Sequence, residues 1–274
     1  MRLLCRVLEV SRSGYYAWCR RQPSARQIKD QRLSEEIRLI HARSGGSYGS
    51  PRVHAELRRR SHTCSRGRVE RLMRSCGLRG AVKRPSVIAT TQSKHLLPVS
   101  ENLLHRDFTA TKPNQKWSSD ITYIPTSEGW LYLAVVIDLF SRRVVGWAMS
   151  QRIDQQLVGD ALRMAFLSRQ PAGSLLMHSD RGVQYAANRT RQLLGDWSAQ
   201  ASMSRRGDCY DNAPTESFFA SLKKELVHHT SFATREEARQ SIFAWIEIFY
   251  NRRRLHSRLG YRSPVEFEHL AIEQ

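Results

Sequence analysis

The chain has 274 residues, 41% hydrophobic and 25% charged, enough apolar material for a packed core, which excludes a generally disordered chain. Lys plus Arg number 44 against 25 Asp plus Glu, and the net charge of +19 calls for an anionic partner, nucleic acid ahead of a membrane surface. The longest apolar run, Trp130 to Ile137, stops far short of the ~20 residues that span a bilayer, and Arg2, Arg6 and Arg12 interrupt any signal peptide, so no membrane role is expected.

Residues 1–80 read as helical and very basic. Leu3, Leu4, Val7 and Leu8 form one apolar stripe, and a turn over Ser11 to Gly14 leads to Tyr15, Tyr16 and Trp18. Leu33, Ile37 and Ile40 make a second helix face. Ser50-Pro51 opens a third helix, with proline in the first turn where its missing N–H costs nothing, and Val53 and Leu57 are its apolar positions. Val69, Leu72, Met73 and Cys76 follow helical spacing, and Gly77 is the stop. Short helices with Arg on their outer faces look like helix-turn-helix units, although a generic helical bundle has the same spacing. Residues 81–115 lose periodicity at Pro85, Pro98 and Pro113 and stay basic through Lys83, Arg84 and Lys94. They read as a basic linker that tracks nucleic acid or packs along the next domain, with a solvated tether as the equal alternative.

Residues 116–230 alternate strand and helix. Trp117 to Ile124 is a strand, Ser127-Glu128-Gly129 a turn, Trp130 to Ile137 a buried strand, and Arg143 to Met149 a third. Asp154 caps a helix bearing Val158, Ala161, Leu162 and Ala165. A strand from Leu175 to His178, a helix near Asn188 to Leu194, a strand from Ala199 to Met203 and a helix opened by Pro214 follow. Three strands in meander and then alternating helices and strands is the order of an RNase H-like α/β fold with a mixed sheet. In residues 231–274, Thr234 and Glu237 form a capping box on a helix with Ala238, Ile242, Trp245, Ile246 and Phe249 on one face. This C-terminal helix and its basic tail are expected to pack on the core.

Cys5, Cys19, Cys64, Cys76 and Cys209 are odd in number and scattered, which argues for a reducing, cytoplasmic compartment. Zinc held by His41, His54, Cys64 and Cys76 would match no zinc-module spacing. Phosphodiester chemistry instead needs a clamp of carboxylates, because Mg²⁺ takes oxygen ligands. Three acids are candidates. Asp120 lies inside the first strand, where acids are uncommon. Asp180 ends the fourth strand before a turn at Arg181-Gly182. Glu216 sits in the first turn of a helix after Pro214, with 35 residues between it and Asp180. Singly, each has a structural reading, as partner of an Arg or of a helix dipole.

The segments Trp117-Ser-Ser-Asp120-Ile-Thr-Tyr-Ile124, His178-Ser-Asp180-Arg-Gly-Val-Gln-Tyr185 and Asp211-Asn-Ala-Pro-Thr-Glu216-Ser-Phe-Phe219 resemble the catalytic core of DDE transposases and retroviral integrases. The resemblance is to the OrfB product of the bacterial IS-three insertion-sequence family, and it extends to Val10-Ser-Arg-Ser-Gly-Tyr15-Tyr-Ala-Trp18 and to Tyr250-Asn-Arg-Arg-Arg-Leu-His256-Ser-Arg-Leu-Gly260-Tyr-Arg-Ser-Pro264. It implies that Asp120, Asp180 and Glu216 are a catalytic, metal-binding triad for two Mg²⁺ or Mn²⁺ ions. It also implies a DNA-associated bacterial enzyme that cuts at the ends of a mobile element and joins the 3′-hydroxyl to another strand, at least a dimer when it acts. The resemblance further implies an OrfA partner or fusion that reads the terminal repeats.

Lys223, two helical turns after Glu216, is expected on the same face and in contact with DNA. His178 shares a strand face with Asp180 and is either site-adjacent or a structural neighbour. Asp138 either lines the site or pairs with Arg142 or Arg143, the pairing being preferred. Asn212 is read as a helix cap. Arg252, Arg253 and Arg254 are either a solvated helix end or a grip on DNA, and the resemblance favours DNA. An RNase H-like nuclease that never joins strands, and a non-catalytic DNA-binding regulator, are the two competing functions.

Overall fold

The computed structural model describes residues 1–81, 98–205 and 209–272. The chain divides into two compact units, Met1–Gly80 and Ala81–Gln274. Lys83, Arg84, Pro85 and Lys94 lie outside the described residues.

The first unit contains helices α1 (Arg2–Val7), α2 (Arg12–Cys19), α3 (Ala25–Arg43), α4 (Ser50–Arg59) and α5 (Arg66–Ser75). Helices α3, α4 and α5 share one core. Ile37, Ile40, Val53, Leu57 and Val69 are essentially without exposed surface. Ser24 caps α3 in a full capping box with Gln27, and Ser65 caps α5 by accepting from the Arg68 N–H. Charge fixes the outer faces. Asp30 of α3 holds Arg68 and Arg71 of α5, and Arg60 bridges Glu36 and Glu56. Helices α4 and α5 are joined by a short turn, as expected of short helices and tight turns in this region. The Leu3, Leu4, Val7 and Leu8 stripe differs from expectation in being exposed; on α1 only Cys5 is buried.

The second unit is built on a five-stranded sheet of order β3-β2-β1-β4-β5. Strands β1 (Lys116–Thr126), β2 (Gly129–Asp138) and β3 (Val144–Ser150) are antiparallel neighbours, whereas β4 (Leu175–Ser179) and β5 (Ala199–Met203) run parallel to β1. This is the mixed sheet anticipated from element order. One face packs on α6 (Gln155–Arg169), α7 (Val183–Ala186) and α8 (Asn188–Asp196), through Trp117, Ala134, Val136, Leu162 and Phe166. The other packs on α9 (Ala213–Glu225) and α10 (Arg235–Phe243), through Ile124, Leu133, Val135, Phe218, Leu222 and Ile242. Alternation along β1 and β2 deals their side chains to the two layers. A final helix, α11 (Pro264–Ile272), is tied to the sheet by Glu268, which receives Ser141, Arg143 and Arg169.

Helix α6 lies against β3 at Gly146. A methyl group built there would sit 2.2 Å from the Ala161 carbonyl oxygen and 2.7 Å from the Ala165 Cβ. Gly146→Ala therefore forces a helix off the sheet and is expected to cost at least about 1–3 kcal/mol, read as a lowered denaturation midpoint.

Asp154 accepts from the Leu157 N–H and caps α6 as anticipated. Thr234 caps α10 by accepting from Glu237 N–H, but the Glu237 carboxylate turns to Ala233 N–H, so only half of the capping box forms. Beyond α10 the helix widens into a π-helical stretch, Ala244–Tyr250, with the Asn251 N–H bonded to Ile246 O. The wider turn buries Tyr250 with Trp245 and Ile246, where a regular helix was expected to place Phe249. Residues 101–104 pack against β5: Leu104 is buried, the N–H groups of Leu103 and Leu104 donate to Ser202 Oγ, and Met203 N–H donates to Glu101 O. Residues 101–104 thus pack along the sheet unit.

Candidate active site

The register of two parallel strands brings the first two acids together. Ser119 of β1 pairs with Ser179 of β4, and pairing ends there. Asp120, still within β1, and Asp180, just past the end of β4, are the next residues, side by side where the chain leaves the sheet after β4. Strand β1 runs on to Thr126 with one edge open beyond this point. A cleft forms along that edge, lined by Asp120, Ile121, Tyr123, Tyr132, Asp180 and Tyr185, among others. This is the usual location for a site in a sheet of this kind, outside the carboxyl ends of parallel strands where the chain diverges.

Asp180 is fixed locally, one carboxylate oxygen accepting from the Gly182 N–H at 2.9 Å. Asp120 accepts from the Ile121 N–H at 2.7 Å. Glu216 lies in the first turn of α9 and is exposed. Burial pushes the Asp120 carboxyl well above the usual range; the Asp180 charge adds to the rise, Glu216 adds less, and Lys223 opposes it. The three acids thus share one electrostatic neighbourhood. Lys223 belongs to it too: its ammonium stands 4.5 Å from the Tyr123 ring centroid, burial lowers its pKa, and Asp120 opposes that fall.

Other expected residues lie elsewhere. His178 is fully buried between the Ser202 and Ser204 hydroxyls, at 2.9 and 3.1 Å. Burial lowers its pKa to about 4, and both ring nitrogens are engaged by serine hydroxyls inside the fold. Asp138 shares the sheet face of its register partner Trp117, opposite to that of Asp120. Its carboxylate accepts from the Asn114 and Phe140 N–H groups, at 2.7 and 2.8 Å, and it does not line the cleft. The preferred pairing with Arg142 or Arg143 is replaced by an Arg169 guanidinium at 3.8 Å, while Arg143 turns to Glu268. Asn212 occupies the N-cap position of α9 but makes no side-chain cap bond; its amide donates to Ser119 O instead.

Arg254 is the clearest correction among the basic residues. It is buried and paired with Glu225 at 2.7 Å, so it is part of the core rather than a grip on DNA. Arg252 and Arg253 are exposed.

Sequence reasoning missed two residues. Tyr185 is buried beside both strand acids, its phenol pushed well above its ordinary pKa by burial and by the charges of Asp120 and Asp180. Asp211 is buried under Arg205, Arg106 and Asn102, and the Arg205 guanidinium leads in holding its carboxyl below the usual range. Each stands at one end of a segment that carries the family resemblance, Tyr185 five residues after Asp180 and Asp211 five before Glu216, and that was the available signal.

Residues 110–209 and 198–264 match models described as integrase core domain, and residues 28–86 match one described as HTH-like domain. The chain is 47% identical over 264 residues to the insertion element IS600 uncharacterized 31 kDa protein of Shigella sonnei, covering 96% of this chain and 97% of the relative. It is 46% identical over 270 residues to transposase InsF for insertion sequence IS3A of Escherichia coli, covering 98% and 93%. Among solved structures, the simian T-cell lymphotropic virus intasome, in complex with a PP2A regulatory subunit, is similar over 85% of this chain and 74% of the other, at 14% identity and a TM-score of 0.49. Among the described residues no helix is long and apolar enough to cross a membrane. With identity at this level along nearly its whole length, the chain belongs to the transposase family of IS3-type insertion sequences and carries that family's integrase core.

Proposed function

We propose that this chain performs metal-dependent DNA cleavage and strand transfer at the ends of an insertion sequence, with Asp120, Asp180 and Glu216 as the metal ligands. The observation that carries the reading is that Asp120 and Asp180 each directly follow the last paired residues of the parallel strands β1 and β4, with the charge of Glu216 felt at Asp120.

The donor set suits a hard divalent cation. It is all carboxylate, and the repulsion that raises the Asp120 pKa is the kind a cation relieves. Among the described residues no three such side chains already converge on one point, and Glu216 is the exposed member. Mg²⁺ or Mn²⁺, as a pair, would supply activation of the attacking hydroxyl and stabilisation of the leaving oxygen. Asp120 and Asp180 hold the strand side of the site, and Glu216 closes it from α9. Lys223 sets an ammonium beside Asp120, where a DNA phosphate is attracted. The helix-turn-helix unit and the excess positive charge support DNA as the partner. Joining two ends supports a homo-oligomer as the acting form, with an OrfA partner or fusion reading the terminal repeats.

The test is a cleavage and strand-joining assay on labelled DNA carrying the element's ends, comparing the wild type with Glu216→Gln, with and without Mg²⁺ or Mn²⁺. Metal-dependent joined products that disappear in Glu216→Gln are expected. Cleavage without joining would replace the reading with a plain nuclease, and full activity in Glu216→Gln would remove Glu216 from the triad. DNA binding by the chain alone is expected to weaken steeply with salt, log affinity falling by roughly 0.9 per phosphate contacted for each unit of log salt. A flat, sequence-selective titration would contradict this.

A further inference from the structure

Ser118 and Ser119 are neighbours in the first half of β1, both without exposed surface. The facing positions on β2, Ile137 and Val136, are apolar. Two hydroxyls in a sheet core are unfavourable unless bonded, so these serines require an account.

Successive strand residues face opposite sides, and each serine is bonded on its own side. Toward α9, Ser118 Oγ donates to Asn212 Oδ1 and lies 2.7 Å from Thr215 Oγ1. Asn212 returns a bond to the β1 backbone, its amide donating to Ser119 O at 3.2 Å. Toward α7, Ser119 Oγ lies 2.8 Å from the Tyr185 hydroxyl. Thr215 immediately precedes Glu216. Tyr185 closes a turn whose N–H bonds Gly182 O, and Gly182 in turn bonds the Asp180 carboxylate. Ser119 immediately precedes Asp120.

We propose that Ser118 and Ser119 are positioning residues: one fixes the Glu216 helix and the other the Asp180 turn, each against the strand that carries Asp120. The proposal rests on the triad reading above. Two adjacent residues with opposite facing are the shortest device that ties elements from both sheet layers to one strand. Asn212 serves the same end, since it forgoes capping its own helix in order to hold β1. Thr215 is fully buried and Tyr185 nearly so, so neither bond competes with water.

The test removes one hydroxyl at a time without changing shape: Thr215→Val on the α9 side, Tyr185→Phe on the α7 side and Thr215→Ser as the conservative control. Mn²⁺ binding to the full chain is measured by calorimetry, beside the melting temperature of the metal-free protein. Each hydroxyl deletion is expected to weaken Mn²⁺ binding roughly tenfold or more, as loss of a group that orients a ligand does, and Thr215→Ser to restore parental affinity. A deletion that lowers the melting temperature yet binds Mn²⁺ like the parent assigns that hydroxyl to stability alone. Parental affinity in both deletions overturns the proposal and leaves the triad reading standing. A parent chain that binds no Mn²⁺ overturns both.

Discussion

Asp120→Asn is expected to abolish strand transfer while making the metal-free chain more stable at alkaline pH. The two effects share one cause. Asp120 is held within β1, just past the last residue paired with β4, with its carboxyl raised well above the usual range, burial leading and the Asp180 charge next. A group whose folded pKa lies above its unfolded value takes up a proton on folding. Its contribution to stability is therefore fully present below about pH 3.9 and is lost as pH rises toward the folded value. The metal-free wild type should lose stability over that window, and Asp120→Asn, which cannot ionise, should not. Metal reverses the order. Mn²⁺ at about a hundred times its dissociation constant stabilises the wild type by about 3 kcal/mol, or roughly 5–10 °C, and should do little for the asparagine variant. The activity loss should be on the order of 10³-fold or more, about 4 kcal/mol of barrier. Melting curves at pH 5.5 and pH 8, with and without Mn²⁺, together with a strand-joining assay, check the pair of effects. Equal metal-induced shifts in the two proteins would take Asp120 out of the metal site.

The sequence made some of this site legible and hid the rest. Asp120 was conspicuous because an acid inside an apolar strand needs a reason, and Glu216 because Pro214 marks a helix start beside it. The five strands and their succession along the chain followed from alternation and turn residues, since those signals are local. Register was not legible. That Ser119 faces Ser179, and hence that Asp120 lies beside Asp180, comes from a parallel pairing between segments almost 60 residues apart, for which no local pattern codes. Nor does a residue's type reveal its partner. His178 shares its strand with Asp180, but the serines of β5 and the loop after it claim both ring nitrogens. Asn212 has the composition and place of a cap, yet it bonds across to the neighbouring strand. The π-helical turn at Ala244–Tyr250 moved Tyr250 inward, because one extra residue per turn shifts every later position around the helix.

Arg254 shows the same limit at its largest energetic consequence. Within Arg252-Arg253-Arg254 all three residues look alike in sequence, and only the fold separates them. Arg254 Nε and a terminal nitrogen bind the two Glu225 oxygens at 2.8 and 2.7 Å, and Ser221 Oγ accepts a further bond at 3.0 Å. Its side chain is 5% exposed and that of Glu225 is 2% exposed. Arg254→Met is therefore expected to strand a buried carboxylate at the end of α9, costing about 3–5 kcal/mol and lowering the melting temperature by roughly 6–20 °C. Removing the stranded charge as well, in Arg254→Met with Glu225→Leu, should recover most of the loss, because an apolar pair of similar volume replaces a buried ion pair at little net cost. Arg252→Ala, at an exposed position, should change stability by no more than about 0.5 kcal/mol and act on DNA affinity at low salt. Thermal melts beside a DNA titration separate the two classes. Weakened DNA binding at an unchanged melting temperature in Arg254→Met would return this arginine to the DNA surface. A destabilised Arg254→Met rescued by the second substitution would mean that the helix carrying Glu216 at one end is anchored by an ion pair at the other.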